Sequence, residues 1–174
     1  MYRHLIIPIA ILMSAGSEAG SAPRGLNPDF EVTVVCSNDA RCTFDHSDVH
    51  FSIIIRNVSD SAIRFPLEFL RQAGPYVTLH DNRSDHTETL PAGMRDEALL
   101  ANLTVVEPGQ TVSIPGSISE AQLEAWGGSS VDVTAEIRLS APLDQTLMFR
   151  PIGSAMLRIV GKKVRHAPVQ PPMP

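Results

Sequence analysis

Residues 49–66, VHFSIIIRNVSDSAIRFP, limit what this chain can fold into more than any other stretch. Val49, Phe51, Ile53 and Ile55 fall on one face, and His50, Ser52 and Arg56 on the other. That period of two matches a half-buried strand, whose successive side chains point to opposite sides. Asn57-Val58-Ser59-Asp60-Ser61 then supplies turn chemistry, because Asn, Asp and Ser side chains bond their own backbone. The stretch reads as strand, turn and strand, the central hairpin of a β-sandwich. A sandwich is a scaffold, so its function must be sought on its loops and edges.

The same alternation recurs along the chain. Phe30, Val32 and Val34 alternate with Glu31 and Thr33. Residues 75–80, PYVTLH, predict another strand, with DNRSD at 81–85 as its turn. Strands over 99–106 and 111–114 flank Glu107-Pro108-Gly109-Gln110, where Pro and Gly suit a type II turn. The cleanest alternation is at 131–140, and Ala155, Leu157 and Ile159 close the set. One short helix interrupts them. Ser119 caps residues 120–126, Gln122 completes a capping box, and Gly127 and Gly128 end the helix by taking the left-handed conformation. Leu123 and Trp126 are placed to cover an open end of the core. About seven or eight short strands with one short helix predict an all-β, antiparallel, immunoglobulin-like β-sandwich.

The start of the chain reads as a targeting segment. Arg3, the apolar run LIIPIAILM at 5–13 and the small residues that follow have the tripartite form of a secretory signal peptide. Nine apolar residues are too few to cross roughly 30 Å of hydrocarbon, so no stable membrane anchor is expected after cleavage. The division is then a signal peptide at 1–19, a linker at 20–28, the sandwich at 29–161 and a basic, proline-rich flexible tail at 162–174. Export to the periplasm or beyond makes Cys36 and Cys42 a disulfide pair. Closing so short a loop stabilises the fold by about 2 kcal/mol on the chain-entropy account.

Charge and composition narrow the function. The chain has 14 basic and 19 acidic residues, a net charge of −5, and no basic run in its body, which argues against nucleic acid. Aromatics at 5% of residues argue against stacking of sugars or single strands. No G-x-S-x-G elbow, S-x-x-K pair or glycine-rich phosphate loop is present, and no cofactor is implied. His46 and His50 are spaced as in the zinc helix H-E-x-x-H, but Ser47 stands where the catalytic Glu belongs, and the setting is strand-like. His80, Asp81, Asp85 and His86 form a second polar cluster, without the glycine-pivoted oxygen run of a calcium loop. No metal site is assigned from either cluster. For contact with a partner, Arg83, Asp85, Arg95 and Trp126 stand out, since Arg and Trp concentrate binding energy at interfaces.

The order R-N-V-S-D-S-A-I-R-F-P, P-Y-V-T-L-H-D and L-T-V-V-E-P-G-Q-T-V-S-I, followed by the short helix, resembles a known module. It is similar to the small β-sandwich that precedes the catalytic domain in deuterolysin-like and peptidyl-Lys metalloendopeptidases. It also resembles the BsuPI-type proteinase-inhibitor sandwich, with its N-x-S-D turn before a hydrophobic strand. The likeness spans residues 49–139. The zinc protease domain itself is absent, so no catalytic residue carries over, and the tryptophan-rich strand expected of the inhibitor family is missing.

The resulting expectation is an exported, non-enzymatic sandwich that binds another protein: a toxin, a protease or an envelope component. It would act as an immunity protein, an inhibitor or an assembly partner. The competing expectations are a metal-dependent hydrolase using His46, His50 or His80, and a structural component of the cell envelope.

Overall fold

The computed structural model describes residues 27–37, 42–143 and 148–162. The predicted signal peptide, most of the predicted linker and nearly all of the basic tail lie outside these residues. In the first sheet, β1 (Phe30–Cys36) and β8 (Thr111–Ile118) flank β3 (Val49–Asn57), all antiparallel. The second sheet runs β2 (Thr43–Phe44), β10 (Phe149–Gly161), β9 (Asp132–Pro142), β5 (Tyr76–Asp81), β6 (Thr87–Thr89), with only the β2–β10 pair parallel. A third, two-stranded sheet joins β4 (Ile63–Phe65) to β7 (Thr104–Val106). The result is an all-β sandwich, with the strand order of an immunoglobulin-type fold.

Alternation decides which side of each strand is buried. Phe51, Ile53 and Ile55 of β3 and Ile114 and Ile118 of β8 face Val133, Ala135 and Ile137 of β9 and Ile152 and Ile159 of β10, all with no exposed surface. Burying apolar faces of this size is the main force holding the two sheets together. Where Phe51 fills the gap between the sheets, its cross-strand partner is Gly116, and a Cβ there would lie 2.3 Å from the Phe51 ring. At the sheet edges a bulge in β10 sets Gly153 against Val32, closing that side.

The predicted central hairpin is corrected by the pairing. β3 and β4 are consecutive but belong to different sheets, because the turn between them carries the chain out of the first sheet. Asn57 makes that exit. Its fully buried carboxamide donates to the carbonyls of Ser61 and Val106, both at 2.8 Å, and accepts from the Ser59 amide at 2.9 Å. The pairing partners of β3 are instead β1 and β8, and β8 runs to Ile118 rather than stopping at 114.

Two further segments depart from the period-two reading. Residues 97–101 form a 3-10 turn (Glu97–Ala101) where a strand is predicted from 99, because Asp96 caps it through the Ala98 amide at 3.0 Å. A helix, α1 (Leu67–Ala73), buries Leu67, Phe69, Leu70 and Ala73 against the end of the core. Its Arg71 donates to the Ser113 carbonyl at 3.2 Å, which together with Pro115 covers the open edge of β8. The predicted helix is present as α2 (Glu120–Ala125) with its capping box complete.

Candidate functional site

One end of the sandwich gathers the β2–β3 connection, the β5–β6 turn, α2 and the 3-10 turn Gly128–Ser130. The helix starts here because Ser119 Oγ accepts from the Gln122 amide and Gln122 Oε1 accepts from the Ser119 amide. Asp48, distant in sequence, accepts from the Glu120 amide at 2.8 Å. The helix ends at Trp126, and Gly127 and Gly128 follow with φ of 117° and 54°. A Cβ on Gly128 would meet only the movable carboxylate of Glu124, so the turn requires glycine for its left-handed conformation rather than for space.

The β5–β6 turn is built around Asp81. Its carboxylate accepts from Ser84 Oγ at 2.6 Å and from the Arg83 amide at 3.0 Å, and these bonds hold its pKa below the ordinary carboxylate value. The Asp81 amide donates to the His86 carbonyl at 3.0 Å, closing the hairpin. The turn is also tied to the base of β9. Asn82 donates to Asp132 at 2.8 Å, and Arg158 grips the same carboxylate through both of its oxygens. Asp132 is thereby held down to about 2, first by Arg158 and then by Asn82.

These anchors bring together residues far apart in the chain. The His86 ring faces the Trp126 ring at 4.6 Å with an interplanar angle of 33°. Arg83 extends across to donate to the Ser130 carbonyl. On the flank, His46 Nδ1 lies 2.5 Å from Glu124 Oε1, and the His46 ring packs on Phe44. The end therefore presents a tilted aromatic pair, a guanidinium bonded to a backbone carbonyl and a histidine–carboxylate pair. Such a set can make stacking, polar and charged contacts with a partner surface.

No family model matches the chain, and no curated protein matches it. Among solved structures, a structural-genomics target named SoR45 is 10% identical with a TM-score of 0.44, over 83% of this chain and 96% of that one. The sporulation control protein Spo0M of Bacillus subtilis is 10% identical with a TM-score of 0.43, over 78% of this chain and 50% of that one. These likenesses say nothing about function.

Of the residues singled out by type, Arg83, Asp85 and Trp126 lie at this end, with Asp85 exposed in the turn beside His86. Trp126 does two jobs, since it packs against the buried core on one side and His86 on the other. Arg95 is not part of the group. It sits beyond β6 against Tyr76, towards the other end of β5. Glu124 and Ser130 are contributors that residue type and spacing do not single out; only the tertiary pairing reveals them, as it reveals that His86 of the polar turn cluster lies against Trp126.

The histidine pair does not converge. His46 turns to Glu124 with a left-handed φ of 64°, whereas His50 is exposed on the outer face of β3. His50 shares a cleft of about 390 Å³ with Asp45, Asp48 and Lys162 beside the disulfide. His80 lies on the outer sheet face, bonded to Thr87 and 3.5 Å from Glu136. Among the described residues no three His, Cys, Asp or Glu side chains cluster as ligands. Cys36 and Cys42 form a disulfide, with Cα atoms 5.4 Å apart. Among the described residues, no helix is long and apolar enough to cross a membrane.

Proposed function

We propose that this chain is an exported, non-enzymatic β-sandwich that binds another protein through the end carrying Arg83, His86 and Trp126. The observation behind this reading is the contact of the Trp126 and His86 rings together with Arg83, whose guanidinium donates to the Ser130 carbonyl. Indole and guanidinium groups dominate interface energetics because each offers a large surface with directional donors. Here they are fixed in advance by the turn and helix that carry them, so less rotamer freedom is lost on binding. The Cys36–Cys42 disulfide and the signal-like start support an oxidising compartment such as a periplasm. The partner is a toxin, a protease or an envelope component, and the chain acts on it as an immunity protein, an inhibitor or an assembly partner. The likeness of residues 49–139 to modules of secreted proteases and their inhibitors points the same way.

The test is affinity capture from the periplasmic and secreted fractions of the source cells. Three baits are compared: the unaltered protein, the double variant Arg83→Ala/Trp126→Ala and the control Arg95→Ala. A specific protein should be retained by the first and third baits, and at least about tenfold less by the double variant. Recovery that is equal on all three, or absent on all three, overturns the reading.

A further inference from the structure

Among the described strands, β1 is the one with a long edge left bare. Its seven residues, FEVTVVC, pair with β3 on one side, and no strand pairs with the other. The remaining edges are blunted or short. Arg71 and Pro115 cover β8, and the free flank of β10 carries Pro151 and a bulge. β2, β4, β6 and β7 have no more than three residues each. β1 has no proline, lysine or bulge, and Glu31 is its only charged residue.

The bonds at its two ends show which groups face outwards. The Ser37 amide donates to the His50 carbonyl and the Val58 amide to the Asp29 carbonyl, both at 2.9 Å. Bonded pairs in an antiparallel ladder recur at every second residue, so Glu31, Thr33 and Val35 turn their main chain towards β3. Val32 and Val34 turn theirs away from it. Their side chains pack on the core yet stay part-exposed, while their β3 partners Ile55 and Ile53 have no exposed surface. β10 packs against Val32 at Gly153 but forms no ladder with β1. Among the described strands, this flank of β1 has no ladder partner, and its valines are incompletely covered.

We propose that β1 pairs with β1 of a second copy, antiparallel about a two-fold axis through Thr33. Thr33 is the middle of the seven residues, so an axis there pairs every one of them. Val32 of each copy exchanges amide and carbonyl bonds with Val34 of the other, and the two valine side chains lie side by side. On the outer face Thr33 meets Thr33. Glu31, which lies 3.8 Å from Arg56, meets Val35 of the second copy, a residue 47% exposed in the single chain. The two Glu31 side chains stay about 13 Å apart along the strands, so no like charges oppose each other. A parallel pair in register would set Glu31 against Glu31. Self-complementarity therefore selects a second copy, and the two-fold pair consumes the bare edge of both chains, so growth stops at two. The pairing uses none of Arg83, His86 and Trp126 and holds whether or not that end binds a partner.

The test is sedimentation of the purified protein over a range of concentrations. The mass should rise from one chain to two by about 100 μM, in keeping with a small interface. Thr33 is exposed, so its side chain can be changed without touching the core. Thr33→Glu sets like charges face to face at the axis and should weaken the dimer at least about tenfold, while Thr33→Gln should leave it intact. Thr33→Cys should give a covalent dimer under mild oxidation, read as intact mass without reductant. Facing residues of a non-bonded antiparallel pair are close enough for a disulfide. Glu31→Cys should give none, since its two copies lie about 13 Å apart. Where Thr33→Glu loses its fold, the crosslinking pair decides alone. A single chain at about 1 mM, a dimer equally strong in folded Thr33→Glu, or crosslinking at 31 as complete as at 33 would each overturn the proposal.

Discussion

Asn57 donates from its carboxamide to the Val106 carbonyl at 2.8 Å, joining the last residue of β3 to a strand of another sheet. The side chain is wholly buried, and its second donor bond goes to the Ser61 carbonyl. Replacing it with Ala would leave a buried carbonyl without its donor and release the turn. Asn57→Ala is expected to cost about 2 kcal/mol, since an unsatisfied buried polar group carries its desolvation penalty. Urea denaturation measures this directly. A midpoint equal to that of the unaltered protein would show that Asn57 does not hold the turn.

Phe51 and Gly116 allow a second, steric prediction. The ring occupies the space that a side chain at 116 would need, and Phe51 is fully buried with no room to swing away. Gly116→Ala should therefore destabilise the fold by about 2 kcal/mol through overpacking. The paired change Gly116→Ala/Phe51→Leu should recover part of that loss, because the smaller side chain frees the clashing volume. Thermal melts of the two variants decide it: an unchanged melting temperature for the single variant is the contrary result.

How much of this was legible beforehand follows from where the information lies. β1, β3 and β9 have one face against the core over seven residues or more, so their alternation is long enough to read. β2, of two residues, has no period to display, and β4, of three, is readable only as the strand that follows the Asn57–Ser61 turn. α1 escapes notice because LEFLRQA is short, follows Pro66 and lacks a side-chain cap, the signals that made α2 readable from Ser119 and Gln122. The pairing of β3 with β8 instead of β4 is not a local property. β4 pairs with β7, which Asn57 reaches at Val106, 49 residues away. Residue type alone picks out both Arg83 and Arg95, but only topology shows that they serve different ends of the sandwich.

The Cys36–Cys42 bridge spans six positions next to the cleft that His50 and Lys162 line. The double variant Cys36→Ser/Cys42→Ser should lose about 2 kcal/mol, the entropy of closing so short a loop in the unfolded chain. Intact mass after alkylation, without reductant, should show no modified thiol in the protein isolated from the source cells. Two alkylated cysteines there, or a double variant as stable as its parent, would falsify a structural role for the bridge.

Asp132 gives a pH prediction with a definite sign. The Arg158 guanidinium and then the Asn82 carboxamide hold its pKa at about 2, below the ordinary 3.8. A folded-state value below the unfolded one means that the charged form is bound more tightly in the fold. The contribution is therefore complete above about pH 4 and is lost as pH falls towards about 2. Carboxyl carbon shifts should show Asp132 titrating near 2, while Arg158→Ala should move the midpoint up towards 3.8, and Asn82→Ala should move it less. Asn82 begins the turn that carries Arg83 and His86, so protonating Asp132 also loosens the anchor of that turn. Amide exchange at 82–86 should accordingly speed up over the same acid range in the unaltered protein. In Asp132→Asn, which has no charge to lose, this acid-dependent acceleration should be absent. An unchanged Asp132 midpoint in Arg158→Ala would show that the ion pair is not what sets it.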